Sequence, residues 1–452
     1  MNKGSIIRKV SDYIAGASSV SLPAEVSVKA KHHILDTIGA MVSGSKLPPG
    51  HLAIEYIRAQ GGTPEAQVIG SSLVTTAVNA ALANAIMAHS DETDDSHAPS
   101  STHPGCAIVP AALAMAERQG SSGAEFLQAV VVGYDIGCRV TRALGPQYLS
   151  SKGLSSHSIG GTFGAAAAAA RLANFSPPQV TYALSYAAQQ ASGIKAWLQS
   201  DDHIEKAFDF AGMPSRNGTT AVTLVQAGFT GVADVFEGER NFLQAYSADP
   251  NPGELVRGLG AEFEIMRTNI KKYCVGSAIQ APLDALLQII AEHSLTADQV
   301  DSLIAHVPEN GGSIVNDRNM PDVSLQYILS AALLDGELTF AAAHSFERMS
   351  DPRILDVKSR IRLHLDPELT HARPRRQGIV EVFTKDGRTL KKHVVGVRGT
   401  AANPMATSEV EEKARDLIAS IVGKDRCNSL FLMVENVEKL GDIRELRSVL
   451  AR

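Results

Sequence analysis

The 452-residue chain is short of several things that would place it in a familiar class. It has four cysteines, Cys106, Cys138, Cys274 and Cys427, scattered without any CxxC spacing. That pattern predicts reduced, buried thiols in a cytoplasmic protein and argues against a structural zinc site. There is no long basic run, and the net charge is −6, so nothing supports nucleic-acid binding. No apolar stretch reaches the ~20 uninterrupted residues that span a bilayer. The N-terminal MNKGSIIRKVSDYIAG mixes charges among apolar residues and is expected to be an amphipathic helix, not a signal peptide. Internal repeats are absent, and the alanine run at 165–170 is the sole low-complexity segment. What remains is a soluble globular protein, long enough for two domains, with no membrane association.

The most informative stretch is Asn84 to Arg118, NAIMAHSDETDDSHAPSSTHPGCAIVPAALAMAER. An apolar helical segment runs straight into Asp91, Glu92, Asp94 and Asp95, with His89, His97 and His103 around them. Carboxylates at a helix C-terminus face the negative end of the macrodipole, so this arrangement is locally unfavourable. Sequences break such rules where function requires it. A charge run is more often a solvated loop, but three histidines among the acids point to a site. Pro104 suits the first position of the next helix.

Taken in order, residues 5–45 read as two helices and 62–72 as turns with one short β-like run. Val74 to Ala88 reads as a helix delivering the acids. Capping patterns at Ser122–Glu125 and Ser176–Gln179 open two more helices. Up to about residue 260 the periodic segments are helical, with small residues on their packing faces. After about residue 300, Ser302–Val307, Val357–Leu365 and Gly378–Thr384 alternate with strand period. Asp386-Gly387 predicts a hairpin turn into Thr389–Val397. GTAANPMAT at 399–407 reads as a linker, and Ser408–Glu411 as the cap of a return to helix lasting to Arg452.

Two further stretches carry chemistry. Gly153 to Gly164, GLSSHSIGGTFG, precedes the alanine run; a helix start of this kind leaves N–H groups that bind carboxylates. His157 there, or His103 before Pro104-Gly105, has the intrinsic pKa of a general base. Lys206 and Arg216 lie where positive charge is otherwise scarce and suit substrate carboxylates, Arg216 by a bidentate contact. Lys271 belongs to a further lysine pair in NIKKYC, and Tyr327 lies on an otherwise apolar helix where a core role is the default.

Together these stretches resemble the MmgE/PrpD family. The resemblance rests on Ala88-His89 with Asp94-Asp95-Ser96, His103-Pro104-Gly105, and GTFGAAAAAARL at 161–172. It rests equally on Lys206 with Ser215-Arg216-Asn217-Gly218, Gly228–Gly231 with Phe236–Gly238, Lys271–Tyr273, and Tyr327 before Leu334–Gly336. It covers almost the whole chain. It implies a mainly α fold: a large all-helical domain from residues 1–265 plus 405–452, with a smaller α+β domain inserted at 266–400. It further implies a homodimer that acts on small di- and tricarboxylic acids without a cofactor or metal. The family's acidic motif falls on Glu92, Asp94, Asp95 and Ser96, its histidine on His103, its lysines on Lys206 and Lys271, and its tyrosine on Tyr327. Two positions depart from the pattern. Ser155 stands where the decarboxylase and methylcitrate-dehydratase members have histidine, and Val275–Ser277 lacks another. His157 is the nearest imidazole to the first gap.

The expected function is proton abstraction next to a carboxylate by His103 or His157, with Lys206 and Lys271 stabilising the developing charge. Ser96, Ser155, Arg216 and Tyr327 join Glu92, Asp94 and Asp95 as expected substrate contacts. A lyase, either dehydratase or decarboxylase, is favoured over an epimerase. The alternatives are a Mg²⁺ site at DETDD, a transition-metal site with His97 and His103, and a carboxylate-binding protein without catalysis.

Overall fold

The computed structural model describes residues 5–17 and 21–451; residues 1–4 of the expected N-terminal helix and Arg452 at the chain end lie outside them. The fold is mainly α, with a smaller α+β portion. The chain divides into two compact units. The first is Met1–Ser90, Asp94–Thr268 and Ala406–Arg452; the second is Asp91–Thr93 with Asn269–Met405.

The first unit is built from helices that pack through small residues. Helices Gly123–Leu144 and Ser156–Leu172 approach so closely that a Cβ on Gly137 would lie 2.7 Å from the Gly160 carbonyl oxygen. Alanines 165–170 are all buried in the second of these helices. The Ser122–Glu125 capping box forms as the pattern predicts, with Ser122 Oγ accepting from the Glu125 N–H at 3.3 Å. Helix Thr407–Val422 joins this unit through a buried ion pair, Lys413 Nζ to Asp36 Oδ1 at 2.6 Å. Its start differs from expectation: Ala406 is the N-cap, and Glu409 reaches back to the Ala406 N–H at 2.8 Å, so Ser408 is already inside the helix.

Two two-residue strands pair antiparallel in the first unit: β1 (Ala66–Gln67), within the turn-rich 62–72 stretch that held a short β-like run, and β2 (Val74–Thr75), at the expected start of a helix. Val74 is therefore not helical; Thr76 caps helix Ala77–Ala88.

In the second unit β3 (Val300–Pro308), β4 (Ile361–Asp366), β5 (Gly378–Thr384) and β6 (Thr389–Val394) form one sheet in the order β4-β3-β5-β6. β3 and β4 are parallel; the other neighbours are antiparallel. Gly387 adopts φ 86° in the expected hairpin turn. Val357 does not begin a strand: it lies in the last turn of helix Pro352–Ser359, whose 3.6-residue period took over an apolar pattern also compatible with alternation. Leu303, Ala305, Val307, Val380 and Val382 face a core shared with helices Gln280–His293 and Leu325–Asp335.

Candidate active site

Helix Ala77–Ala88 ends at His89, and the acidic stretch that follows is not a solvated loop. Every residue from His89 to His97 is buried, including all four carboxylates. Burial of that much charge demands partners, and each acid has its own.

Asp94 accepts from two imidazoles, His89 Nδ1 to Oδ2 at 2.9 Å and His103 Nδ1 to Oδ1 at 3.1 Å. Asp95 accepts from Tyr134 Oη at 2.6 Å, His33 Nδ1 at 2.9 Å and the Gly105 N–H at 3.0 Å. The start of helix Pro104–Gln119 thus holds the protein's own carboxylate, where the sequence suggested a substrate's. Position 105 has to be glycine, because a Cβ there would meet Tyr134 Oη at 2.6 Å and Asp95 Oδ2 at 2.9 Å. His97 bonds Ser100 and pairs with Glu264, so it takes no part in a cluster with His103. Ser96 is buried beside these residues.

His157 lies in the first turn of helix Ser156–Leu172, not in a loop before it, and Ser155 is that helix's N-cap. Helical geometry turns their side chains apart. Ser155 Oγ donates to Asp209 Oδ2 at 2.6 Å and Ser158 Oγ to Asp209 Oδ1 at 2.8 Å, so a carboxylate of the chain occupies this helix start too. His157 instead stacks on Phe210, with ring centroids 3.7 Å apart, and lies 5.2 Å from the His103 ring. His89 also stacks on Phe210, at 4.4 Å. One face of a phenyl ring accommodates one stacked ring, so Phe210 is held between the two imidazoles. It comes from a single π-helical turn, Phe208–Gly212, an irregularity frequent at functional sites.

Lys206, on the short helix Ile204–Ala207, is buried with Nζ 5.2 Å from the Phe210 centroid and 5.5 Å from that of Trp197. Aromatic faces hold an ammonium by their quadrupole. Arg216 has a different neighbourhood: its Nε and Nη2 donate to Asn217 Oδ1 and its guanidinium covers the Phe208 ring.

Burial favours the neutral imidazole at His89 and at His157. Burial pushes His89 down to about 4, against the opposing pull of Asp94. His157 is pushed well below the usual histidine value, first by burial and then by the charges of His103 and His89. An ionised carboxylate only accepts, so both imidazoles on Asp94 donate from Nδ1, and the neutral form of each ring has its lone pair on Nε2. His89 Nε2 and His157 Nδ1 are buried with no hydrogen-bond partner among the described residues. Burial raises Asp209 to about 6.

The second unit holds a separate cluster. Lys271 Nζ donates to the Glu92 carbonyl at 2.8 Å and to Glu92 Oε2 at 3.0 Å. The Glu92 N–H donates to Asp322, and Arg376 senses the Glu92 charge. Asp91 pairs with His344 at 2.9 Å. Burial opposes charge on His344, but the bond and charge of Asp91 outweigh it and raise the imidazole to about 9. Tyr327 lies in the core of this unit, its hydroxyl donating to the Ala342 carbonyl at 2.6 Å, the core role its apolar helix suggested.

Asp94 and Asp95 are thus engaged by groups of the first unit, and Asp91 and Glu92 by groups of the second. His89, Asp94 and Cys106 have ligand atoms within 4.8 Å of one another, a mixed donor set suited to a borderline transition ion such as Zn²⁺ rather than to Mg²⁺. Sequence reasoning missed Phe210, Trp197, Asp209, His344 and Arg376. Of these, Asp209, His344 and Arg376 carried a chemical signal in isolation.

No helix among the described residues is long and apolar enough to cross a membrane. Residues 8–255 match the MmgE/PrpD N-terminal domain and residues 273–439 the MmgE/PrpD C-terminal domain. The cis-aconitate decarboxylase-like protein oryM of Aspergillus oryzae is 26% identical, over 99% of this chain and 98% of its own. The cis-aconitate decarboxylase of Homo sapiens is 25% identical over 99% and 94%, and that of Aspergillus terreus 22% over 99% and 96%. With its two domain types matched in order along the chain, the protein belongs to the MmgE/PrpD family.

Proposed function

We propose that this protein is a cofactor-independent lyase that moves a proton at carbon next to a carboxylate of a small di- or tricarboxylic acid. The observation that carries this reading is the Asp94 carboxylate bonded to Nδ1 of His103, with the His157 ring 5.2 Å from His103. His103 is the base: Asp94 fixes its tautomer and stabilises the imidazolium formed when Nε2 takes the proton, as a carboxylate does behind any catalytic histidine. His157, neutral and unsolvated, is the second proton carrier. Lys206 supplies positive charge for the carboxylate whose electron density rises as the carbon gives up its proton. The resemblance extends that role to Lys271, which sits with Glu92 in the second unit.

Elimination of water would release the electron pair from carbon with a hydroxyl leaving. Decarboxylation would break the carbon–carboxylate bond and deliver a proton to the carbon instead. The named relatives are decarboxylases, which supports the second of these. An epimerase is the alternative, favoured by the two adjacent imidazoles, one to remove a proton and one to return it. Incubating the purified protein with a panel of di- and tricarboxylates and measuring product masses separates these outcomes. Loss of carbon dioxide or water marks a lyase. An unchanged mass with inverted configuration marks an epimerase. Binding without any turnover would leave a carboxylate-binding protein. A homodimer in the cytoplasm remains part of this proposal, tested by light scattering and by localisation.

A further inference from the structure

The outer face of the four-stranded sheet carries a second cluster of ligating groups, remote in sequence from the acidic stretch. Register places His306 of β3 directly beside His364 of β4. Asp366 lies two residues further on, so it projects from the same face of the edge strand as His364. The His306 and His364 ring centroids are 4.9 Å apart, and ligand atoms of His306, His364 and Asp366 all lie within 4.8 Å of one another.

The groups behind these residues are already committed in a way that aims the remaining atoms inward. Asp366 Oδ1 accepts from the Glu368 and Leu369 N–H groups at 2.8 and 3.2 Å, capping helix Pro367–His371. That leaves Oδ2 facing His306 Nδ1 at 3.6 Å. Glu381 gives Oε1 to Lys391 at 2.7 Å and Oε2 to His306 Nε2 at 3.3 Å. His306 Nδ1 and Asp366 Oδ2 thus face each other at 3.6 Å. Their separation is too long for a hydrogen bond and close to the ~3.3–3.4 Å between two ligands of a tetrahedral ion with ~2.0–2.1 Å bonds.

We propose that His306, His364 and Asp366 bind one divalent transition-metal ion, Zn²⁺ foremost, at this face of the sheet. Two imidazoles and one carboxylate are the donor set such an ion prefers over Mg²⁺ or Ca²⁺. Glu381 supplies the carboxylate that orients a metal-bound histidine from behind. The ion fastens the edge strand β4 and helix Pro367–His371 to β3. It takes no part in the imidazole chemistry of the first unit.

The test is isothermal titration of the full chain, stripped with chelator, with Zn²⁺ alone. It is repeated with Co²⁺, whose visible absorption reports coordination. Wild type is expected to bind one equivalent with micromolar affinity and to show a melting temperature that rises with Zn²⁺ concentration. His364→Ala removes an exposed ligand, so the fold and turnover should persist while that equivalent is lost. Glu381→Gln should weaken binding about 10–100-fold. No Zn²⁺ uptake by wild type overturns the proposal, and so does equal uptake by wild type and His364→Ala.

Discussion

Asp94 Oδ1 lies 3.1 Å from His103 Nδ1, and this contact decides which nitrogen of His103 carries the lone pair. The other carboxylate oxygen does the same for His89 at 2.9 Å. One buried acid thus sets the tautomers of two imidazoles. Asp94→Asn keeps the shape but offers an amide that can donate to one ring. We expect kcat to fall ~10²–10⁴-fold with the circular dichroism spectrum unchanged. Near-normal turnover in that variant would remove Asp94 from the chemistry.

His157→Gln should lower kcat by ~10²–10⁴-fold, the usual worth of a proton carrier. The ring packs on Phe210, so a stability cost on the order of 1 kcal/mol accompanies the loss. Urea titration and steady-state kinetics on the same sample separate the two effects. A variant that is destabilised but fully active would make His157 a packing residue.

Phe210 touches both imidazoles and Lys206, so its removal should act on stability and activity together. Phe210→Ala is expected to cost ~3–5 kcal/mol, as large-to-small core changes do. Phe210→Leu keeps most of the volume but loses the stacking faces. It should lose less stability and still lower kcat. Wild-type kinetics in Phe210→Leu would contradict an organising role for the ring.

The protonation of His89 gives a pH signature. Its folded value of about 4 lies below the ordinary 6.5, so the unfolded chain binds more protons there between those values. Its contribution to stability is intact above pH 6.5 and is lost as pH falls toward 4. Buried Asp36, Asp135 and Asp209, raised to about 6, 7 and 6, act in the opposite direction, so the net profile of the wild type does not isolate His89. The difference between wild type and His89→Asn does. Wild type should lose about 2 kcal/mol more than the variant between pH 6.5 and 5. A flat difference would mean that His89 titrates normally in the fold.

Much of the site was legible because the sequence breaks a local rule there. Four acids after a helix needed partners, and Asp94 with His103 was readable from spacing and resemblance. Asp95 was readable as important but not as structural, since Tyr134 and His33, which hold it, come from distant helices. Phe210 left no chemical trace in FDFAG, because its role comes from a π-helical turn and from rings that approach it from elsewhere. Helix starts looked like substrate sites because their N–H groups attract anions. The chain supplied a carboxylate at each, Asp95 on the Gly105 N–H at one start and Asp209 on the Ser155 and Ser158 hydroxyls at the other. In the second unit, the Asp386-Gly387 turn was plain, whereas Val357 fitted both periods and went to a helix.

Turnover should survive exhaustive dialysis against a chelator, including any Zn²⁺ stripped from the His306 cluster. The proposed reaction draws on imidazole, carboxylate and ammonium groups that the chain already holds. Activity lost on dialysis and restored by a divalent ion would instead make the His89, Asp94 and Cys106 group a metal centre.

The central claim is that His103, set by Asp94, moves a proton at carbon next to a carboxylate. The direct measurement is incubation of wild type and His103→Gln with di- and tricarboxylates in D₂O, followed by mass spectrometry of the recovered acids and products. The account predicts deuterium beside a carboxylate of at least one acid with wild type, and none above background with a folded His103→Gln. Exchange at the wild-type rate in His103→Gln, or no exchange with any acid by wild type, would contradict it.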